Sequence, residues 1–246
     1  MKISKKIVLM IAVLSSFSIV FAQQKNNSEK ETSVENEYLN DVDSDIIMGL
    51  ANSDDFDNKL VALQYLQSAL EEGNTSDTII KALDQLAGEG ITNQTRTGGR
   101  LSNNYPEIRR QACLLLAKVP TEHSKNTLVA IAIADNEPMV VAAAVKSLGE
   151  IGINNNDETV EAIAFANKRN QVLNPTSSLA MEVLDAYEKL YPVTEDKKTL
   201  VNSVASISTD YHYVTPVRQR AYKLLKQMSN AQNNKSGKSN SKGNAK

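Results

Sequence analysis

Apolar residues between about residue 44 and residue 230 recur at the spacing of helix turns almost throughout. Two clear stripes at positions i, i+4 and i+7 are Ile79, Leu83 and Leu86, and Leu200, Val204 and Ile207. This spacing puts side chains on one face of an α-helix, whereas a half-buried strand would alternate with a period of two. The pattern therefore predicts an all-α chain.

Proline and glycine residues mark where these helices begin and end. Asn174–Pro175 and Thr215–Pro216 place a capping side chain before a proline at the first helical position, where the missing N–H does no harm. Glycine readily adopts the left-handed conformation that closes a helix, so glycines after apolar stripes predict helix ends. Four glycines are expected in such positions, namely Gly73, Gly88, Gly149 and Gly152.

One type of helix recurs along the chain. Four of its copies open with proline, place an alanine five or six residues later and a leucine four residues after that; an earlier copy lacks the proline. The pairs are Ala62 and Leu66, Ala112 and Leu116, Ala144 and Leu148, Ala180 and Leu184, and Ala221 and Leu225. Successive alanines are 50, 32, 36 and 41 residues apart, which suits repeated helical hairpins with one large insertion. The small residue lets a neighbouring helix approach closely, and the leucine fills the space one turn later.

The segments that carry this pattern are YPEIRRQACLLLAKV, EPMVVAAAVKSLGEIG and TPVRQRAYKLLKQM. They resemble the first helix of HEAT repeats, which has a proline, an aliphatic residue, often an arginine, and then alanine and leucine. Arg109 and Arg218 match the arginine position, whereas Val141 replaces it in the third unit and Ser177 or Ser178 in the fourth. The resemblance covers most of residues 54–230. It implies an α-solenoid of about four HEAT-like hairpins plus a closing helix.

The pattern predicts one continuous repeat domain over residues 44–230. A short helix near Ser44–Asn52 is expected to cap its N-terminal end. The expected hairpins pair 54–72 with 76–88, 105–118 with 122–134, 137–149 with 157–172, and 175–191 with 194–208, followed by a closing helix at 215–230. Each hairpin buries only part of its apolar surface alone, so the units must stack.

Residues 1–22 have the pattern of a cleavable signal peptide. Three lysines precede an apolar run, Ile7–Val20, whose 14 residues fall short of the roughly 20 that a membrane-spanning helix needs. Cleavage is predicted after Ala22. We therefore expect a mature protein in a bacterial periplasm or secreted, without stable insertion into the membrane.

The segments that flank the repeat domain are poor in apolar residues. Residues 23–43 predict a disordered linker and residues 231–246 a disordered basic tail, because neither can bury enough surface to offset the entropy of ordering. Removing the three lysines of the leader from 27 basic residues leaves 24 against 29 acidic ones. This negative balance argues against a nucleic-acid partner.

Few residues are candidates for chemistry. His123 and His212 have no second histidine or cysteine at metal-ligand spacing, so we expect no metal site and no cofactor. Cys113 lies in an apolar helical stretch and is expected to be a small buried residue. The chain has no Gly-x-Ser-x-Gly sequence, no phosphate-binding loop and none of the His-Glu dipeptides of the HEAT-like hydroxylases. We therefore expect no catalytic activity, although the residues alone leave a bilin-lyase relative open.

Residues 88–104 form a long connection, which is rare in a compact domain unless it is functional or disordered. Arg96 and Arg100 flank a pair of glycines and could hold an anionic group of a partner; a mobile loop or a small hairpin is the alternative. Arg109 and Arg110 follow on the next helix. These two are also candidates for binding, but the HEAT resemblance implies that they pair with acidic residues of neighbouring repeats.

The resemblance favours a protein or peptide partner bound on the second helices of the hairpins, with Lys81, Gln85, Lys197 and Lys198 as possible contacts. The expected function is a scaffold for protein–protein interaction in the periplasm or cell envelope. The alternative is a non-catalytic or partner-completed subunit of an envelope enzyme. A purely structural envelope component is a third interpretation.

Overall fold

The protein is described by a computed structural model, which covers the backbone of residues 34–241 and the side chains of residues 43–230. Ten α-helices and one short two-stranded sheet lie within this part of the chain. The elements are α1 (Val34–Ala51), α2 (Phe56–Glu71), α3 (Asp77–Ala87), β1 (Arg96–Thr97), β2 (Arg100–Leu101), α4 (Pro106–Leu116), α5 (Glu122–Ala134), α6 (Pro138–Ile151), α7 (Glu158–Leu173), α8 (Ser177–Leu190), α9 (Lys197–Thr209) and α10 (Thr215–Ser241). Short 3-10 turns at Asn155–Asp157 and Tyr191–Val193 precede α7 and α9.

The helices from Asp43 onward form two layers within one compact unit. The first helices of the hairpins (α2, α4, α6 and α8) and the closing α10 pack against one another in chain order. The second helices, α3, α5, α7 and α9, do the same in the other layer, and each also packs against the first helix that follows it. This arrangement is an all-α helical solenoid, so the predicted fold class is confirmed.

The recurring alanines and leucines form the seam of the first layer. The alanine of each pair and the leucines at 66, 116, 148 and 184 are at most 1 % exposed, and Leu225 is partly buried against the same core. Ser147 of α6 adds a hydrogen bond of 2.8 Å from its Oγ to the carbonyl oxygen of Cys113 in α4. Small residues at the contact thus let consecutive first helices lie close together.

One predicted helix end is wrong. Gly149 lies inside α6, which continues to Ile151 and closes at Gly152 with a φ of 71°. A Cβ placed on Gly149 would lie 2.7 Å from the Cα of Ala186 in α8. Gly149 is therefore a site of close approach between two first helices and not a stop signal.

The structure also differs from the expected domain bounds at both ends. Helix α1 begins at Val34, inside the expected linker, and α10 runs to Ser241, inside the expected tail. Residues 34–48 contain no proline or glycine, and no proline follows Pro216, so the backbone can continue its local hydrogen bonds in both places. The predicted signal peptide at residues 1–22, the linker residues 23–33 and the tail residues 242–246 lie outside the described residues.

The turns that lead from a second helix to the next first helix lie along one edge of the array. Val214 N donates to Ser177 Oγ at 3.1 Å, which joins the last two of these turns. Arg169 near the end of α7 donates to the carbonyl oxygens of Ala132, Ile133 and Asp135 at the end of α5. We call this side, with its connections at 88–105, 135–137, 174–176 and 210–214, the connection edge.

Asp157 joins the turns on the opposite edge. Its carboxylate accepts hydrogen bonds from Glu195 N at 2.9 Å, Asp196 N at 2.6 Å and Asn154 Nδ2 at 2.9 Å. Burial alone would raise the pKa of this carboxyl, but these donors and nearby Lys197 hold the pKa below its ordinary value. The anion is therefore the form that connects the third hairpin to the fourth.

None of the helices within residues 34–241 combines the length and the hydropathy that a bilayer-spanning helix requires.

Candidate functional site

The long connection at residues 88–104 forms a small β-hairpin, one of the two alternatives to a binding loop. β1 and β2 pair antiparallel, with Arg96 opposite Leu101 and Thr97 opposite Arg100. Two glycines form the turn, with φ values of 58° and 80° that other residues rarely adopt. Directly opposed residues share a face and successive residues alternate, so Arg96 and Arg100 lie on opposite faces. The register thus does not direct both arginines toward one anionic group.

Buried polar contacts fix the base of this hairpin. The Oε2 atom of Glu89 lies 3.0 Å from Lys59 Nζ, and its Oε1 atom accepts from Asn103 Nδ2 at 2.7 Å. Lys59 also donates to the carbonyl oxygen of Ala51 at 2.9 Å, and Asn103 accepts from Thr95 N at 2.9 Å. All three side chains of this network, Lys59, Glu89 and Asn103, are buried. Only the part of the connection beyond this network projects from the array.

Arg109 belongs to the same buried region. Its guanidinium forms an ion pair with Asp135, with an Nε–Oδ2 distance of 2.6 Å, and donates to the carbonyl oxygen of Glu89 at 3.1 Å. Both charged side chains are 1 % exposed, so Arg109 lies in the core and not at the surface. Arg110 is half-exposed and pairs with Glu107 of the same helix at 3.2 Å.

The four arginines predicted as a binding set therefore do not form one site. Arg109 is part of the core, Arg110 lies on α4, and the other two project from a hairpin in different directions. Arg96 donates within its own hairpin, to Gln94 Oε1 at 3.1 Å and to the carbonyl oxygen of Gly99. A contact of Arg96, Arg100 or Arg110 with a partner stays a prediction.

The residues considered for chemistry do not converge. His123 Nε2 lies 2.5 Å from Asp84 Oδ2, and His212 Nδ1 lies 2.7 Å from Asp210 Oδ1, both at exposed positions. Cys113 is fully buried, and this burial raises the pKa of its thiol to about 12, with the nearby carboxylate of Asp135 adding to the effect. Within the described residues, no group of three histidine, cysteine or acidic side chains has a metal-binding arrangement.

The second-helix layer exposes large apolar side chains. Phe165 is 53 % exposed and Val172 is 77 % exposed on α7, one on each side of Lys168 along the same helix face. Ile133 at the end of α5 and Leu173 at the end of α7 are also exposed. Arg169 connects this region: its guanidinium carbon lies 5.9 Å from the centre of the Phe165 ring, and it donates to Ile133 O. We call Ile133, Phe165, Val172 and Leu173 the apolar cluster.

A groove of about 350 Å³ runs between α7 and α9, next to the apolar cluster. Two hydrogen bonds join its walls, from Asn167 Nδ2 to Ser203 Oγ at 3.0 Å and from Gln171 Nε2 to Ser206 Oγ at 3.1 Å. The remaining side chains that line it are those of Ala164, Lys168, Thr199 and Asn202. This amide groove and the apolar cluster together form the candidate binding surface.

Two of the residues proposed on the second helices already have structural contacts. Gln85 Oε1 accepts from Asn93 Nδ2 at 3.0 Å and so supports the base of the hairpin. Lys197 donates to the carbonyl oxygen of Thr194 at 2.5 Å and lies 4.9 Å from the ring centre of Tyr191. Lys81 and Lys198 are exposed, and their contact with a partner stays a prediction.

A family model of HEAT repeats matches residues 99–170, which span α4, α5, α6 and most of α7. These residues of the chain form HEAT repeats. No curated protein and no solved structure matched the chain in these comparisons. The matched region includes Phe165 and Arg169, so the candidate surface begins within the HEAT repeats.

The candidate surface was missed from the sequence. Phe165 and Val172 lie seven residues apart on a helix, and this spacing is equally typical of a buried stripe. The side of α7 that faces the core instead carries Val160, Ala162, Ile163 and Ala166. The usable signal was Lys168, which lies between Phe165 and Val172 on the same helix face and so indicates that this face is exposed.

Proposed function

We propose that this protein is an exported scaffold that binds a partner protein through its second-helix face, with the apolar cluster at the centre of the contact. HEAT repeats are generally protein-interaction scaffolds. The observation that carries the proposal is the exposure of Phe165 and Val172 on α7, a helix held on both sides by α5 and α9.

Exposed apolar side chains on a rigid helix are suited to protein binding. Burying apolar surface contributes about 25 cal/mol per Å², and well-packed aromatic residues dominate many interfaces. The hydrogen bonds of Arg169 to the end of α5, and those of Asn167 and Gln171 to α9, already fix the flanking helices. Little conformational entropy is then lost when a partner binds, which favours affinity.

The proposed location rests on residues 1–22, whose charged start, short apolar run and Ala22 are typical of a cleaved leader. The negative balance of the remaining chain supports a protein partner over nucleic acid. The proposed function includes no catalysis, because His123, His212 and Cys113 do not come together in one site of the described residues.

A site-specific photo-crosslinker tests the binding surface in cells. The crosslinker replaces Phe165 in one version and Tyr65 in another, because both rings are about half exposed, at 53 % and 52 %, but lie in different layers. We expect a discrete crosslinked protein from position 165 and none from position 65. Equal crosslinking at both positions, or none at position 165, would contradict the proposed surface.

A fusion of residues 1–30 to an alkaline phosphatase that is active only outside the cytoplasm tests export. We expect activity from the native leader and none after Lys2, Lys5 and Lys6 are changed to glutamate. An inactive native fusion, with the fusion protein intact in the cytoplasm, would remove export from the proposal and leave the binding surface unaffected.

A further inference from the structure

The side chains that line the amide groove between α7 and α9 indicate the chemistry of the partner. Apart from Ala164, the lining consists of side-chain amides and hydroxyls and a single charged residue, Lys168. Each amide offers two N–H donors and one carbonyl acceptor, so the groove can both donate to and accept from an occupant. A polypeptide main chain has the same mixture of donors and acceptors.

The spacing of the accessible polar side chains along α7 suits an extended chain. Lys168 and Gln171 lie three residues apart, which separates side chains by about 5–6 Å, and two residues of extended peptide span about 6.6 Å. Asn202 on the opposite wall is exposed. The amides of Asn202 and of the partly buried Gln171 are therefore the ones that an occupant of the groove can reach.

The charge of the groove specifies one feature of the occupant. Lys168 is exposed and forms no ion pair within the described residues. Arg169 follows it and lies against the ring of Phe165. A carboxylate on the occupant would complement Lys168, whereas a basic segment, such as the lysine-containing tail from residue 231 onward, would be repelled.

The apolar cluster specifies a second feature. Phe165 and Val172 flank Lys168 on the exposed face of α7, so an apolar side chain of the occupant would lie next to its acidic one. We propose that the amide groove binds an extended segment of the partner protein through its main chain, with an acidic side chain at Lys168 and an adjacent apolar side chain on Phe165 or Val172. This inference rests on the proposed function and deepens it.

A carbohydrate is the other class of ligand that amides and hydroxyls can bind. Aromatic faces usually stack on sugars, but the guanidinium of Arg169 lies over the Phe165 ring and the chain contains no tryptophan. The exposed aliphatic Val172 beside the groove also suits an apolar side chain better than a sugar. The observations therefore favour a peptide.

The test begins with selection of the purified protein against a displayed library of random linear peptides. We expect the selected peptides to share an acidic residue next to an apolar one. Binding of a synthetic selected peptide is then measured by fluorescence anisotropy. Lys168→Glu, Phe165→Ser and Asn202→Ala should each weaken binding by about tenfold, as expected for central contacts. The matched surface controls Lys223→Glu and Tyr65→Ser should not change it.

Two modified peptides separate the parts of the inference. Methylation of alternate main-chain nitrogens of the peptide should weaken binding by about tenfold. It removes N–H groups that would donate hydrogen bonds to the side-chain amide oxygens of the groove. A peptide whose acidic residue is replaced by lysine should bind Lys168→Glu better than it binds the wild-type protein, since the charge pair is restored in reverse.

Other outcomes would overturn the inference. Selected peptides that bind Lys168→Glu and Phe165→Ser as tightly as the wild type would show that the groove is not their site. Failure to select any peptide, or binding of N-acetylglucosamine oligomers that Lys168→Glu and Asn202→Ala abolish, would exclude the peptide class. A crosslink from position 165 in cells would still support the proposed function in each case, so the two failures are distinguishable.

Discussion

The guanidinium of Arg109 and the carboxylate of Asp135 form a buried ion pair with two hydrogen bonds, 2.6 Å from Nε to Oδ2 and 3.3 Å from Nη2 to Oδ1. The pair joins the first turn of α4 to the residue that follows α5, and the carbonyl oxygen of Glu89 after α3 accepts from the same guanidinium. One side chain thus connects three consecutive helices. Removing one member of such a pair leaves the other charge buried without compensation.

We expect Arg109→Met to lower the free energy of unfolding by about 3–5 kcal/mol, because Asp135 would lose its partner inside the core. Urea denaturation followed by circular dichroism measures the change. Arg110→Met is the matched control on the next residue of α4, where the half-exposed pair with Glu107 should contribute less than about 1 kcal/mol. Equal, small effects of the two substitutions would contradict the structural role of Arg109.

Gly149→Ala should destabilise the protein by about 1–3 kcal/mol, although alanine is normally the better helix former. The added methyl group would lie 2.7 Å from the Cα of Ala186, so α6 and α8 must move apart. Gly49 in α1 is the control, because a Cβ there meets nothing within 4 Å. Gly49→Ala should be neutral or raise stability by up to about 1 kcal/mol. A stabilising Gly149→Ala would show that the two first helices are not in close contact.

Leu148→Ala should cost about 2–5 kcal/mol, since Leu148 is fully buried and its truncation leaves a cavity in the seam of the first layer. Ala144→Leu, one turn earlier, should cost about 1–3 kcal/mol because it overfills the same seam. Leu173→Ala, at a side chain that is 71 % exposed, should change stability by less than about 0.5 kcal/mol. Thermal and urea denaturation measure the three variants, and a Leu148→Ala or Ala144→Leu variant as stable as Leu173→Ala would show that the core face is misplaced.

Asp157 gives a prediction for pH. Its folded pKa lies below the ordinary value of 3.8, so its contribution to stability is fully present above that pH and is lost as pH falls through the folded pKa. Asp157→Asn should therefore destabilise the protein at pH 7, because an amide nitrogen would face the N–H donors of Glu195 or Asp196. The difference in unfolding free energy between wild type and variant should shrink below about pH 4. A difference that stays constant from pH 7 to pH 3 would show that the carboxylate charge is not involved.

The C-terminal end gives a prediction by truncation. Met228 is a buried residue of the core, and residues 231–246 contain no large apolar side chain. Deleting residues 231–246 should change the free energy of unfolding by less than about 0.5 kcal/mol, because little apolar surface is lost. Deleting residues 224–246 instead should be strongly destabilising, since it removes Leu224 and Met228 from the core.

Most of the fold could be predicted from the sequence because its signals are local. Apolar stripes, the prolines at 106 and 138, and the alanine–leucine pairs all lie within single helices, and the expected hairpins agree with the structure to within a few residues at most ends. The helical backbone beyond residues 43 and 230 was less predictable, since the spacing of apolar residues gives little indication of a helix there.

The features that could not be predicted depend on contacts between residues that are far apart in the sequence. Lys59 and Glu89 are 30 positions apart, and nothing in the neighbourhood of either residue indicates a buried pair. Gly149 is followed closely by another glycine and looks like a helix end until the position of Ala186 is known. The opposite faces of Arg96 and Arg100 follow from a strand register that the turn residues alone did not define.

The β1–β2 hairpin between α3 and α4 shows that the helical array can accept an inserted segment in one of its connections. The connection is much longer than its counterparts, yet α2 still packs on α4 and α3 still packs on α5, because Glu89, Asn103 and Lys59 close the insertion at its base. A foreign sequence grafted between Gly98 and Gly99 would start from a turn that has open space around it. The protein therefore offers a ready attachment point for an epitope or a reporter that leaves the helical array undisturbed.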